Sequence, residues 1–207
     1  MQNRKRAPDR KSEIVAALLV LADRIGPDRL TTNDIAREVG VTQAAIFRHF
    51  PTKAALWAAA GETLSERLTT SWAAAKNRHA APQAQLQALI HAQLGQIASC
   101  PALPAILHSR ELNVDNPALR ATVQDILMQF QGELVDALQK MAQSVDMAPE
   151  LDPKDAAVFL TSLVQGLAIR WSLGARNFDL VAEGMRLFDV QLALFMQSAQ
   201  VAGMSEG

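Results

Sequence analysis

The sequence predicts an all-α protein of about nine helices, and three observations carry that expectation. Of 207 residues, 49% are hydrophobic, with alanine and leucine foremost, a mixture that favours helix and fills a core. Tyr is absent, and Gly and Pro number only ten and nine. No stretch alternates apolar and polar residues with period two, whereas apolar residues recur at spacings of three and four along most of the chain.

Each element follows from its own signals. Over residues 9–24, Ile14, Ala17, Leu18, Leu21 and Ala22 share one face, and Gly26-Pro27 halts the helix. Thr31 or Thr32 then caps a short helix over 33–39 whose inner face is Ile35, Ala36 and Val39. Gly40 ends it, because glycine enters a left-handed conformation at little cost. Thr42 caps a helix over 43–50 that Pro51 closes, and Thr52 caps a long alanine-rich helix from residue 53 to about 75. Further helices are expected over 83–99, 102–113, 117–145, 153–175 and 178–201, with breaks at Cys100-Pro101, 113–117, 148–153 and 174–177. The chain carries no internal repeat.

Charge is distributed unevenly. Net charge is −1, yet residues 1–53 hold ten Lys/Arg against six Asp/Glu, leaving ten against fifteen in the remainder. A basic head on an acidic body suits a head that meets phosphate; a basic tail alone is the plainer alternative, since Arg4, Lys5 and Arg6 supply most of the excess. The single cysteine, Cys100, rules out an intramolecular disulfide, and no Cys/His cluster has the spacing of a metal site, so no metal or cofactor is expected. The apolar run 14–21 is too short to span a membrane, and a soluble cytoplasmic protein is the default expectation.

The informative stretch is 32–50, TNDIAREVGVTQAAIFRHF. It reads as two short helices meeting at a tight turn. Ala36 sits where they cross, Gly40 makes the turn, and Ile35, Val39, Val41 and Ile46 form the small shared core. The outward side of the second helix then carries Thr42, Gln43, Ala44, Phe47, Arg48 and His49, a set with no packing purpose. Gln and Arg hydrogen-bond purine edges, and small alanines permit close approach to a thymine methyl. Thr42, His49 and Lys53 flank them and suit phosphate oxygens. A helical hairpin in an ordinary bundle can mimic such a turn, but the run Arg48-His49-Phe50-Pro51-Thr52-Lys53 followed by Ala-Ala-Leu is distinctive.

With those residues in view, the segment 12–56 resembles the TetR family of one-component bacterial regulators. The resemblance covers about the first quarter of the chain; the rest agrees in length and helical content. It implies a helix-turn-helix DNA-binding domain over 1–56 and a helical ligand-binding and dimerisation domain over 57–207. It gives Thr32 the role of helix cap and phosphate contact, makes Gln43, Ala44 and Arg48 base-facing, and makes His49 and Lys53 phosphate contacts. Phe47 departs from the family, which usually has Tyr there, and lacks the hydroxyl that would reach a phosphate. The resemblance further implies double-stranded DNA with a near-palindromic operator as partner, a homodimer, and a small, largely apolar effector that releases a repressor. An activator, or a regulator governed by a protein partner, is the alternative.

The dimer has a second warrant. Helices over 155–171 and 180–196 are apolar nearly all round, and Phe159, Leu163, Leu167, Phe188, Leu192 and Phe195 are the expected interface, with Gly166 and Ala168 allowing close approach. Two buried core helices of a monomer would show the same pattern. Polar residues within apolar helices are His91, Gln96, His108, Arg110, Glu111, Gln165, Arg170 and Trp171; of these His108, Glu111, Gln165, Arg170 and Trp171 are the candidate effector contacts. Solvent exposure is the simpler reading for His91, and an exposed charged turn for 108–111. Cys100 reads as a packing residue rather than a redox sensor. An enzyme is not expected, since the chain has no nucleophile elbow, no paired His-Glu metal motif and no glycine-rich phosphate loop.

Overall fold

The computed structural model describes residues 7–143 and 151–202. Ten helices occur among them, and no strand: α1 (Ala7–Ile25), α2 (Thr32–Val39), α3 (Gln43–His49), α4 (Lys53–Asn77), α5 (Pro82–Ser99), α6 (Ala102–His108), α7 (Arg110–Asp115), α8 (Pro117–Ala142), α9 (Pro153–Leu173) and α10 (Leu180–Ala202). Ten rather than about nine arises because the expected helix over 102–113 is two. Ser109 leaves helical geometry, accepts a hydrogen bond on its side chain from the Leu112 amide (3.0 Å), and so starts α7. The stretch 144–150, on which the expected break before Pro153 partly falls, lies outside the described residues.

The chain packs into two compact units that interleave in sequence. One comprises residues 1–66 with 100–125, the other 67–99 with 126–207. The helix-turn-helix segment therefore shares its unit with 100–125, a stretch the sequence assigns to the C-terminal region.

In the first unit, α1 buries Ile14, Leu18, Leu21 and Ala22 against α2 and α6. Leu56, Trp57, Ala60 and Leu64 of α4, Leu103 and Ile106 of α6, and Leu119 of α8 complete the core. Gly61 marks a close approach of α4 to α8, since a Cβ there would lie 2.8 Å from Leu119 Cδ1. The Ser109 hydroxyl donates to Asp28 Oδ1 at 2.6 Å and ties the α6–α7 turn to the loop before α2.

In the second unit α5, α9 and α10 pack together, with Leu86, Leu89, Leu94, Leu160, Val164 and Phe188 at the centre. One polar pair is enclosed: Trp72 Nε1 donates to Oε1 of the buried Gln93 at 2.9 Å, which satisfies both groups away from water. The Trp72 ring meets Phe130 at 5.2 Å, and Lys76 pairs with Glu133. Helix α9 is long and apolar enough by composition to cross a membrane. Core helices meet the same test, and Leu160, Val164, Leu167 and Trp171 of α9 are buried here.

The expected dimer residues need correcting. Leu167, Phe188, Leu192 and Phe195 belong to the core of their own unit, Phe188 completely so. Of the six, Phe159 is exposed at 55% and Leu163 half-buried. A helix that is apolar all round does not disclose which stripe its own chain covers. The stripe left uncovered comprises Val158, Phe159, Ile169 and Leu173 on α9 with Val190 and Leu194 on α10.

One glycine makes the α5–α10 contact testable, and a second, on α8, serves as its control. A Cβ on Gly184 would lie 2.5 Å from a Leu94 methyl that is itself fully buried, whereas one on Gly132 would meet nothing within 4 Å. Gly184→Val should therefore destabilise the protein by about 2–3 kcal/mol through overpacking. Gly132→Ala should stabilise it by about 0.5–1 kcal/mol through helix propensity. Urea midpoints of the two variants against the parent check both signs.

Candidate nucleic-acid interface

Short helices need their ends satisfied, and α2 and α3 are both capped. Thr31, the residue before α2, is extended at φ −108°, and its Oγ1 accepts from the Asp34 amide at 3.2 Å. Asp34 answers through Oδ2, which accepts from the Thr31 amide at 3.1 Å and from its hydroxyl at 2.5 Å, closing a capping box. These hydrogen bonds, the side-chain one foremost, hold the Asp34 carboxyl below its ordinary pKa. The cap is thus Thr31 and not Thr32, which is the first helical residue. Gly40 ends α2 at φ 71°, ψ 36°, the left-handed geometry that glycine accepts without strain. Thr42 then caps α3, its Oγ1 accepting from the Ala45 amide at 3.2 Å, and Thr52 does the same for Ala55 at 3.0 Å at the head of α4.

These caps and the burial of Ile46, Ile35 and Ala36 fix which way α3 faces. Ile46 and Phe50 point to the core; Thr42, Gln43, Ala44, Phe47 and Arg48 are exposed, and Ala45 and His49 are half-buried. Phe47 is 39% exposed, an apolar ring on an otherwise polar face. Thr32 is buried, and its Oγ1 accepts a hydrogen bond from Gln43 Nε2 at 2.7 Å. Sequence reasoning places both residues at the interface but misses this bond, which joins positions eleven apart. It gives Thr32 a partner within the protein and sets the direction of the Gln43 amide.

The electrostatics are one-sided. No Asp or Glu occurs over 39–61, while Arg48, His49 and Lys53 do. Arg24 and Arg37 are spent on Glu38 and Asp34 at 3.5 and 3.7 Å, but Arg48 and Lys53 make no ion pair among the described residues. A face with free cations, an oriented amide and small side chains around one aromatic ring has the donors that phosphates and base edges require.

Of the five expected effector contacts, two lie in the first unit and three in the second. His108 ends α6 in the first unit, where desolvation holds its pKa below the usual histidine value, and Glu111 is exposed on α7. Gln165, Arg170 and Trp171 lie on α9 in the second unit. Trp171 is buried and its Nε1 already donates to the Phe178 carbonyl (3.1 Å), while the Arg170 guanidinium sits 5.0 Å over the Phe178 ring. None of the five lines the cavity of about 630 Å³ in the second unit, which is bordered by α4, α5 and Met185 of α10 and includes His91 and Gln96. Cys100 is buried.

Comparison with known proteins matches this architecture from end to end. Residues 14–60 match the family of bacterial regulatory proteins described as tetR, and residues 81–197 match the C-terminal region of MAATS-type transcriptional repressors. The nucleoid occlusion factor SlmA of a Marinomonas species is 25% identical over 166 residues, which is 80% of this chain and 83% of that protein. A TetR transcription regulator from Haloarcula marismortui superposes with a TM-score of 0.78 at 20% identity, covering 92% of this chain and 100% of the other. The regulator FadR from Bacillus subtilis, solved in complex with stearoyl-CoA, gives 0.72 at 19% identity, covering 90% and 98%. The chain belongs to the TetR family and is a DNA-binding transcriptional regulator.

Proposed function

We propose that the protein is a cytoplasmic, homodimeric repressor that reads a near-palindromic operator with α3 and leaves it when a small molecule binds its C-terminal region. The observation that carries the reading role is the outward face of α3. There Gln43, Ala44, Phe47 and Arg48 stand free beside Lys53, with Gln43 steered by Thr32. Gln43 keeps its carbonyl oxygen and one N–H for a base, the pair that adenine matches in the major groove. Arg48 suits guanine, and Ala44 with Phe47 suits a thymine methyl. Thr42, His49 and Lys53 take phosphates. The match to a transcriptional repressor's C-terminal region supports the sign of control, and the stearoyl-CoA complex of FadR supports a small-molecule effector.

The uncovered stripe on α9 and α10 supports the dimer. Val158, Phe159, Leu173, Val190 and Leu194 are each at least 48% exposed, and large apolar side chains left open on two packed helices favour an interface. A twofold mate on that stripe forms a four-helix contact and sets two reading helices about one DNA turn apart, roughly 34–36 Å. Helix α4 is one uninterrupted element from Lys53, beside the reading face, to Asn77, so a tilt of it transmits a ligand's presence to the DNA contacts. DNA and ligand then weaken each other's binding by the same factor. The SlmA relatives favour a second reading, in which the protein serves nucleoid occlusion.

Selection of genomic fragments by the purified protein at about 150 mM salt, near physiological ionic strength, tests the proposal. It should recover a near-palindrome with half-sites about one turn apart; recovery of no preferred sequence would sink it. On that operator Arg48→Ala should cost about 1–3 kcal/mol of discrimination at one base pair. Lys53→Ala should weaken all sequences alike and lower the salt slope by about one ion per subunit. Thr32→Val should remove about 1 kcal/mol of preference at the Gln43 base pair while the salt slope stays put; a uniform loss across sequences would instead return Thr32 to the phosphate contacts.

A further inference from the structure

The cavity in the second unit has a composition that its surroundings do not explain. Its walls come from the last turns of α4 and from α5, with Met185 of α10 closing one side. The space exists because the facing residues are small: Ala74, Ala75, Ala88, Ala92 and Gly95. A Cβ on Gly95 would meet nothing within 4 Å. Around this apolar floor stand Arg78, His79 and His91, with the amides of Gln87 and Gln96. At about 630 Å³ the space falls within the range of small-molecule sites.

The charge pattern is the telling part. Residues 54–207 carry fifteen carboxylates against ten Lys/Arg, yet no Asp or Glu lines the cavity, and two of the chain's four histidines do. Arg78 makes no ion pair among the described residues, although Lys76, two positions away, is paired with Glu133. The C-terminus of α4 would attract Arg78 and His79 through its dipole; His91 stands in the middle of α5, solvent-exposed as its sequence reading expects, and faces the same space. Arg78 and His79 from the segment after α4 and His91 from α5 thus line one space, together with the amides of Gln87 and Gln96.

We propose that this cavity binds a small organic anion, a carboxylate or phosphate monoester on a short apolar body. The anionic head meets the Arg78 guanidinium and the imidazoles of His79 and His91, as charge-assisted hydrogen bonds favour. The apolar body lies on the alanine floor against Met185. Binding stands on the geometry alone; its role as the effector site rests on the regulatory reading above.

The histidine count makes the test direct. In full-length protein, the four imidazoles are followed by carbon-edited NMR during titration with hexanoate, decanoate, benzoate and phenyl phosphate, with benzamide as the uncharged control. At least one anion should shift the His79 and His91 signals to saturation, leave His49 and His108 still, and outcompete benzamide. Arg78→Gln should weaken that anion about tenfold or more, the worth of one charge-assisted contact. Gly95→Leu, whose Cβ enters open space, should abolish binding. If no anion saturates these two signals, or if both variants bind like the parent, the site is refuted. Operator affinity measured with the bound anion is a separate arm: no change there removes the effector role and leaves the anion site standing.

Discussion

A seven-residue helix has no stability of its own in water, because nucleation costs more than so few hydrogen bonds return. Helix α3 is such a helix, and everything about the reading face depends on what holds it. One side chain, Ile46, is fully buried and carries α3 against the core made by Ile35, Ala36 and Leu30. The caps at Thr42 and Thr31 satisfy amides at the helix starts, and Gly40, in left-handed geometry, turns the chain between the two packed helices. Once that packing is fixed, Gln43, Ala44, Phe47 and Arg48 have no freedom to face inward. The chemistry of the face is thus a consequence of its back.

This is also why the head was legible in the sequence and parts of the body were not. Caps, a left-handed glycine and a small residue at a crossing are local signals, each written in one or two adjacent positions. Even so, two adjacent threonines could not be told apart: Thr31 caps and Thr32 lies in the first turn, a difference of which hydroxyl meets which amide. The bond from Gln43 to Thr32 is not local and left no trace in spacing. The break at Ser109 was hidden because α6 and α7 continue one apolar rhythm, and only a side-chain cap separates them.

In the body, hydrophobic pattern determines that a residue is buried but not by whom. Phe188 and Phe159 look alike in sequence; one is enclosed by its own unit and the other is left open. The aromatic pair Phe159–Phe195, centroids 6.3 Å apart, straddles that boundary, with Phe195 inside and Phe159 outside. The candidate effector contacts raise a related point. Polar residues in apolar helices stand out in a sequence, and Trp171 does so, yet its Nε1 is satisfied internally. A cavity is marked instead by what is missing, and alanine among alanines gives no contrast to read.

The two faces of the protein then divide the work of charge. Arg24 and Arg37 of the head are neutralised by neighbouring carboxylates, whereas Arg48 in α3 and Arg78 just past α4 are exposed and make no ion pair among the described residues. An exposed ion pair contributes little to stability, so leaving these two unpaired costs the fold almost nothing. What it leaves available is one exposed cation on the outward face of α3 and another beside a small cleft in the second unit. A protein that needed only to be stable would have no reason to keep acidic residues away from both.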